Sequence, residues 1–77
     1  MARGTVSFWH GLDGWGGIEA PEHPGIGFVH FSHIRVEGYR ELLPGEVVEH
    51  EWADNFGQDG CQWRVAWVRP ISRSGVP

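Results

Sequence analysis

The chain has 77 residues, 40% hydrophobic and 13% aromatic, with ten acidic side chains against six arginines, no lysine and a formal net charge of −4. That length holds one small domain, able to hide only about 60% of its unfolded surface, and the aromatic content is too high for a disordered segment. The charge excludes a broadly basic surface of the kind that grips nucleic acid through phosphates alone.

Residues 3–9, rich in Thr, Val and aromatics, read as a first strand. Alternation puts Val6 and Phe8 on one side of it. His10-Gly11-Leu12-Asp13-Gly14 is a turn, since Asp-Gly is a hairpin signal, and a second strand follows over 15–19. Pro21, Pro24 and Gly25 exclude a helix and mark a linking loop over 20–25. A third strand runs over 26–31, ending at Ser32-His33-Ile34, which can form one short helical turn. On these paired strands Trp15, Phe28 and His30 share one solvent-facing side, because side chains alternate with period 2.

Residues 35–45 show no period and read as a long crossover loop, pinned by Ile34, Tyr39, Leu42 and Leu43; loops this long in small domains are often functional. Over 46–54, Val48, His50 and Trp52 fall on one face and Val47, Glu49 and Glu51 on the other, the pattern of a half-buried strand. His50 is expected in the core, bonded to a neighbour. After a turn over 55–60 a last strand spans 61–69. It sets Cys61, Trp63, Val65 and Trp67 opposite Gln62, Arg64, Ala66 and Val68, and Pro70 ends it by lacking an N–H. The domain is expected over 1–70, with 71–77 a flexible tail.

Several classes of function find no support in the residues. The histidines His10, His30 and His33 are not completed by a cysteine pair or a patterned carboxylate, so no metal site and no cofactor is expected. Cys61 has no activating neighbour and reads as a buried thiol. The carboxylates Glu19, Glu22, Glu49 and Glu51 read as a solvated rim, and the chain is not read as an enzyme. No apolar run approaches the roughly 20 residues of a membrane helix. The first residues lack the apolar core of a signal peptide, and a lone cysteine suits a reducing compartment, so the expected location is cytoplasmic.

Three runs carry a resemblance. Gly4-Thr5-Val6 with Phe8-Trp9, then Asp13-Gly14-Trp15-Gly16-Gly17-Ile18, then Phe28-Val29-His30-Phe31-Ser32 with Ile34, resemble the bacterial cold-shock domain in order and spacing. The likeness continues in Gly38-Tyr39-Arg40, Gly45, Val48 and the strand Arg64-Val65-Ala66-Trp67-Val68, and covers roughly residues 3–69. It implies an all-β fold, a five-stranded antiparallel barrel of the oligonucleotide-binding (OB) kind, that binds single-stranded RNA or DNA. It also implies stacking roles for Phe8, Trp15, Phe28, His30, Phe31 and Tyr39, with Arg64 as an added polar contact, Val6 in the core and Phe8 on the binding face. Several positions depart from the family pattern: Ser7 and Asp13 stand where it has lysines and Gly17 where it has a phenylalanine, while Trp9 and His10, where it has Phe and Asn, are milder changes. The expected result is a monomeric, stacking-dependent binder that keeps RNA unpaired. The alternative is a protein-interaction module that has kept the barrel and lost its phosphate affinity.

Overall fold

Four register shifts run through the sheet and decide which side chains this chain shows to solvent. The computed structural model describes residues 2–38 and 40–71; Tyr39 and the tail beyond residue 71 lie outside the described residues. Strand β1 (Ala2–His10) buries Gly4 and Val6 while Arg3, Thr5 and Ser7 are exposed. Its pairing with β2 (Trp15–Ala20) then slips, because Val6 faces Ile18 and Phe8 faces the very next residue, Gly17. Ser7 is therefore the extra residue of a bulge. Simple alternation would bury Phe8 with Val6, and the bulge instead turns Phe8 outward.

β3 (His23–His30) begins earlier than expected, since Ala20 already pairs with His23 and only Pro21 and Glu22 form the turn. Pro24 and Gly25 fall in the register shift between Ile18↔Gly27 and Ala20↔His23. Neither has to serve a regular ladder, and Gly25 takes φ 85°, a conformation open to glycine. A single 3-10 turn, Phe31–His33, follows at the place where a short helical turn was expected.

The crossover is held by Ile34 and Leu42, each 1% exposed. Leu43, expected as a third pin, is 56% exposed and leaves the packing to Leu42. Its far end is stitched to the bulged strand: Val6 N–H donates to Glu46 O at 2.9 Å and Gly45 N–H to Val6 O at 2.8 Å.

β4 (Val47–Asp54) and β5 (Trp63–Pro70) pair antiparallel with two further shifts. Between Glu51↔Trp67 and Trp52↔Val65 the extra residue is Ala66, and between Trp52↔Val65 and Asp54↔Arg64 it is Ala53. Both alternations read from the sequence fail there. Trp52 is 41% exposed instead of joining Val48 and His50 in the core, and on β5 burial passes from Val65 to Val68, leaving Trp67 half-buried. Cys61 is buried as expected, just before the strand.

The sheet closes as β1-β2-β3-β5-β4 and back to β1. This is the expected five-stranded OB barrel, antiparallel except where β3 and β5 run parallel through Gly27↔Trp63 and Phe28↔Arg64. Inside lie Val6, Ile18, Val29, Ile34, Leu42, Val48, Trp63, Val65 and Val68. Each such aliphatic side chain contributes about 1.5–3 kcal/mol by leaving water. His50 is also fully buried, but neither ring nitrogen has a hydrogen-bond partner among the described residues, contrary to the bonded histidine expected. No helix among the described residues is long and apolar enough to cross a membrane.

Candidate nucleic-acid interface

The outer face of β1, β2 and β3 carries a continuous row of rings. Phe8 meets Trp15 edge-on at 5.6 Å between centroids, and Trp15 stacks on Phe28 at 5.6 Å with 27° between planes. His10 fills the angle between them, 5.2 Å from Phe8 and 4.7 Å from Trp15. The expected sharing of one face by Trp15, Phe28 and His30 is found, because Trp15 and His30 are register partners and Phe28 lies two residues before His30. Phe28 is nonetheless only 7% exposed. Its ring lies under Trp15, so it supports the row more than it offers a free surface.

His10, considered in the sequence only as a metal candidate, was not among the expected stacking residues. The signal was available, since it follows Phe8 at the two-residue spacing of one strand face. The row has a second group at its end: His30 lies 4.4 Å from Phe31, which is 45% exposed on the 3-10 turn. Phe31 packs against Gly14, whose φ of 75° and lack of a side chain leave room for the ring. Beside Phe31 opens a cavity of about 420 Å³ lined by Trp9, Leu12, Asp13 and Arg40 among others.

The 3-10 turn fixes the imidazoles. His33 Nδ1 accepts from His30 N–H at 3.2 Å, and His30 Nδ1 accepts from Ser32 N–H at 3.3 Å. With Nδ1 engaged, Nε2 is the ring nitrogen of His30 left for a ligand. Burial holds the His33 pKa below the usual histidine value, and the nearby His30 and Arg64 add to this, so His33 favours its neutral form.

Arg64 lies beside Phe28 in register, on the outer face. Its guanidinium is engaged by Asp54, donating from Nε at 2.9 and 3.0 Å and from Nη2 at 2.7 Å. Those bonds hold the Asp54 carboxyl below the usual carboxylate range and raise the Arg64 pKa. Arg69 is likewise bonded to Glu49, and Arg35 sits over the Trp67 ring at 4.6 Å. Two of the carboxylates read as a solvated rim are thus engaged, Glu49 by Arg69 and Glu51 by the Trp67 indole N–H at 3.2 Å. Ser7 and Asp13 are exposed. Tyr39, the remaining stacking candidate, lies outside the described residues.

The face offers apolar planes with little free positive charge, which suits flat, weakly charged ligand surfaces better than dense phosphate. No group of three or more His, Cys, Asp or Glu suited to a metal occurs among the described residues. Burial pushes the Cys61 thiol pKa up, with Asp59 adding to it, so the reactive thiolate is disfavoured.

No family model matches the chain. It is similar to proteins described as Cold shock protein CspA from Staphylococcus saprophyticus and Staphylococcus epidermidis, each 43% identical over 51 residues, which cover 66% of this chain and 76% of the relative. The protein of the same description from Staphylococcus aureus is 41% identical over the same shares.

Proposed function

The chain belongs to the cold-shock protein family, and from that premise we propose that it binds single-stranded RNA or DNA on the outer face of β1–β3, by stacking bases on its aromatic rings. The observation that carries the reading is the unbroken contact from Phe8 through Trp15 to Phe28 on one side of the barrel. Every base has a π-face, so such a row binds with weak sequence preference, and each stacked base contributes roughly 1–3 kcal/mol. His10, His30 and Phe31 extend the row, and Tyr39 is assigned to it by its place in the family pattern alone.

Binding of this kind is also a way to keep RNA unpaired. A ligand that engages only the open strand pulls the helix–coil equilibrium toward it, with no nucleotide hydrolysis or cofactor. We read the protein as a monomeric, cytoplasmic nucleic-acid chaperone without catalytic activity.

The bonding of Arg64 and Arg69 to carboxylates favours weak attraction to phosphate, and it is the observation behind a second reading, a protein-interaction barrel. Intrinsic tryptophan fluorescence separates the two. Quenching by oligo-dT at low salt, reduced in Trp15→Ala, supports the nucleic-acid reading; unchanged fluorescence at all oligonucleotide concentrations turns the assignment to a protein partner.

A further inference from the structure

Position 33 is one that the cold-shock likeness leaves open, and this chain places a histidine there. The backbone just before it needs an acceptor. Phe31 N–H donates to Gly14 O at 2.8 Å, one step beyond the Trp15↔His30 pair. That pair therefore exchanges no hydrogen bonds of its own, and His30 N–H points away from β2. On the other side, the pairing of β3 with β5 ends at Phe28, opposite Arg64.

The partly buried His30 N–H is met instead by His33 Nδ1 at 3.2 Å. In return His30 Nδ1 accepts from Ser32 N–H at 3.3 Å, with Ser32 Oγ 2.8 Å from the same nitrogen. The two imidazoles thus form a reciprocal capping box around the turn Phe31–His33. Within the turn Ile34 N–H donates to Phe31 O at 3.2 Å. A turn of three residues cannot hold itself by such a bond, because helix nucleation is unfavourable, so its order depends on the caps and on the bond to Gly14.

We propose that His33 is a positioning residue of the binding face: as a neutral imidazole it holds the turn from which the His30 and Phe31 rings project, so that both are set to receive a base. The inference rests on the nucleic-acid reading above. Accepting at Nδ1 requires the ring proton to sit on Nε2. A second proton turns Nδ1 into a donor that faces the His30 N–H donor, and the cap is lost. The charges facing His33 are Arg64 on β5, itself bonded to Asp54 on β4, and His30 on its own turn; Asp13 lies beyond Phe31 at the β1–β2 turn. Burial, His30 and Arg64 all favour the neutral ring. The cap is therefore present at neutral pH and fails only below about 6.5, the ordinary histidine value.

The test titrates oligo-dT into wild type, His33→Ala and His33→Gln from pH 8 to 5.5 at constant ionic strength, with binding read by tryptophan fluorescence and the His30 amide by hydrogen exchange. Glutamine at this place in a capping box accepts from the same N–H and does not titrate. At pH 8 His33→Ala binds about five-fold or more weakly, the loss of roughly one stacked base, and its His30 amide exchanges faster; His33→Gln recovers most of both. As pH falls below about 6.5 the wild type loses affinity relative to His33→Gln and approaches His33→Ala. His10 and His30 are common to all three proteins, so their own titration cancels in these ratios. The comparison of wild type with His33→Gln stands even if His33→Ala folds poorly. An alanine variant that binds like wild type at pH 8, a glutamine variant as weak as the alanine one, or a constant ratio of wild type to His33→Gln over the whole pH range overturns the role of His33 while leaving the stacking face. No binding by the wild type at any pH overturns both.

Discussion

The ring of Phe8 lies over Gly17, its register partner, so closely that a methyl group on Gly17 would come within 2.7 Å of Phe8 Cε1 and would also strike Ile26 Cγ2. The space in which the cold-shock pattern places a second phenylalanine is filled by side chains from the two neighbouring strands. The Phe8 side chain is half-buried as a result. The missing ring leaves a repacked face with no hole in it.

Gly17→Ala should therefore destabilise the fold by about 1–3 kcal/mol, the usual cost of overpacking. Shortening the obstructing side chain in Gly17→Ala/Ile26→Ala should recover part of the loss, because coupled neighbours are not additive. Urea midpoints of the two variants and wild type measure this; a double variant less stable than the sum of its parts argues against the contact.

Phe28 and Trp15 should differ in what their loss does. Trp15→Ala removes an accessible plane and should weaken oligo-dT binding by about 1–3 kcal/mol with a small change in stability. Phe28→Ala removes a ring that is 7% exposed and should cost about 3 kcal/mol or more of stability in addition to its effect on binding. Thermal melts beside fluorescence titrations separate the effects, and equal melting temperatures for the two variants would show that Phe28 does not support the row.

Asp54 restrains the cation beside the row. Asp54→Asn removes the carboxylate charge while leaving an acceptor for Phe56 N–H, which Asp54 Oδ1 now receives at 3.0 Å. Arg64 is then free for a phosphate, and the slope of log K against log salt should steepen by about 0.7, one contact on a single strand. Ser7→Lys/Asp13→Lys, at two exposed positions, should steepen it by up to about twice that. Affinity should rise at low salt and converge with wild type near molar salt. Parallel salt slopes in all three proteins would place these side chains away from the phosphates.

His50 sets an acid limit on stability. Burial lowers its pKa, opposed by Glu22 and reinforced by His23, so the folded state holds it neutral. The unfolded chain protonates near the ordinary value of about 6.5. The stability due to neutral His50 is thus complete above that pH and is lost as pH falls toward the lower folded value. Melting temperature should drop between pH 7.5 and 5, and His50→Leu should flatten that drop. It should also raise stability at neutral pH by about 1 kcal/mol, since two unpartnered nitrogens are removed. A His50→Leu profile as steep as wild type would assign the acid sensitivity to other groups.

The chain's own letters marked the strands, and its likeness to the cold-shock domain implied the barrel and most of the ring-bearing face. Strand-length aromatic and β-branched runs separated by Gly, Pro and Asp mark the strands, and period 2 puts Phe28 and His30 on one side of theirs, where the likeness sets Trp15 beside them. What tertiary structure alone decided is where that period breaks. The bulges at Ser7, Ala53 and Ala66 arise because strands of unequal path must close around one core, and no local pattern records that mismatch. They turn Phe8 outward, bring Trp52 to the surface beside His23, and move burial on β5 from Val65 to Val68. The pairing of Arg64 with Asp54 is likewise invisible in sequence, since the two are ten residues apart on strands whose register a bulge has shifted. Composition could state that cations are few; only the closed sheet could decide that this one is already held by a carboxylate.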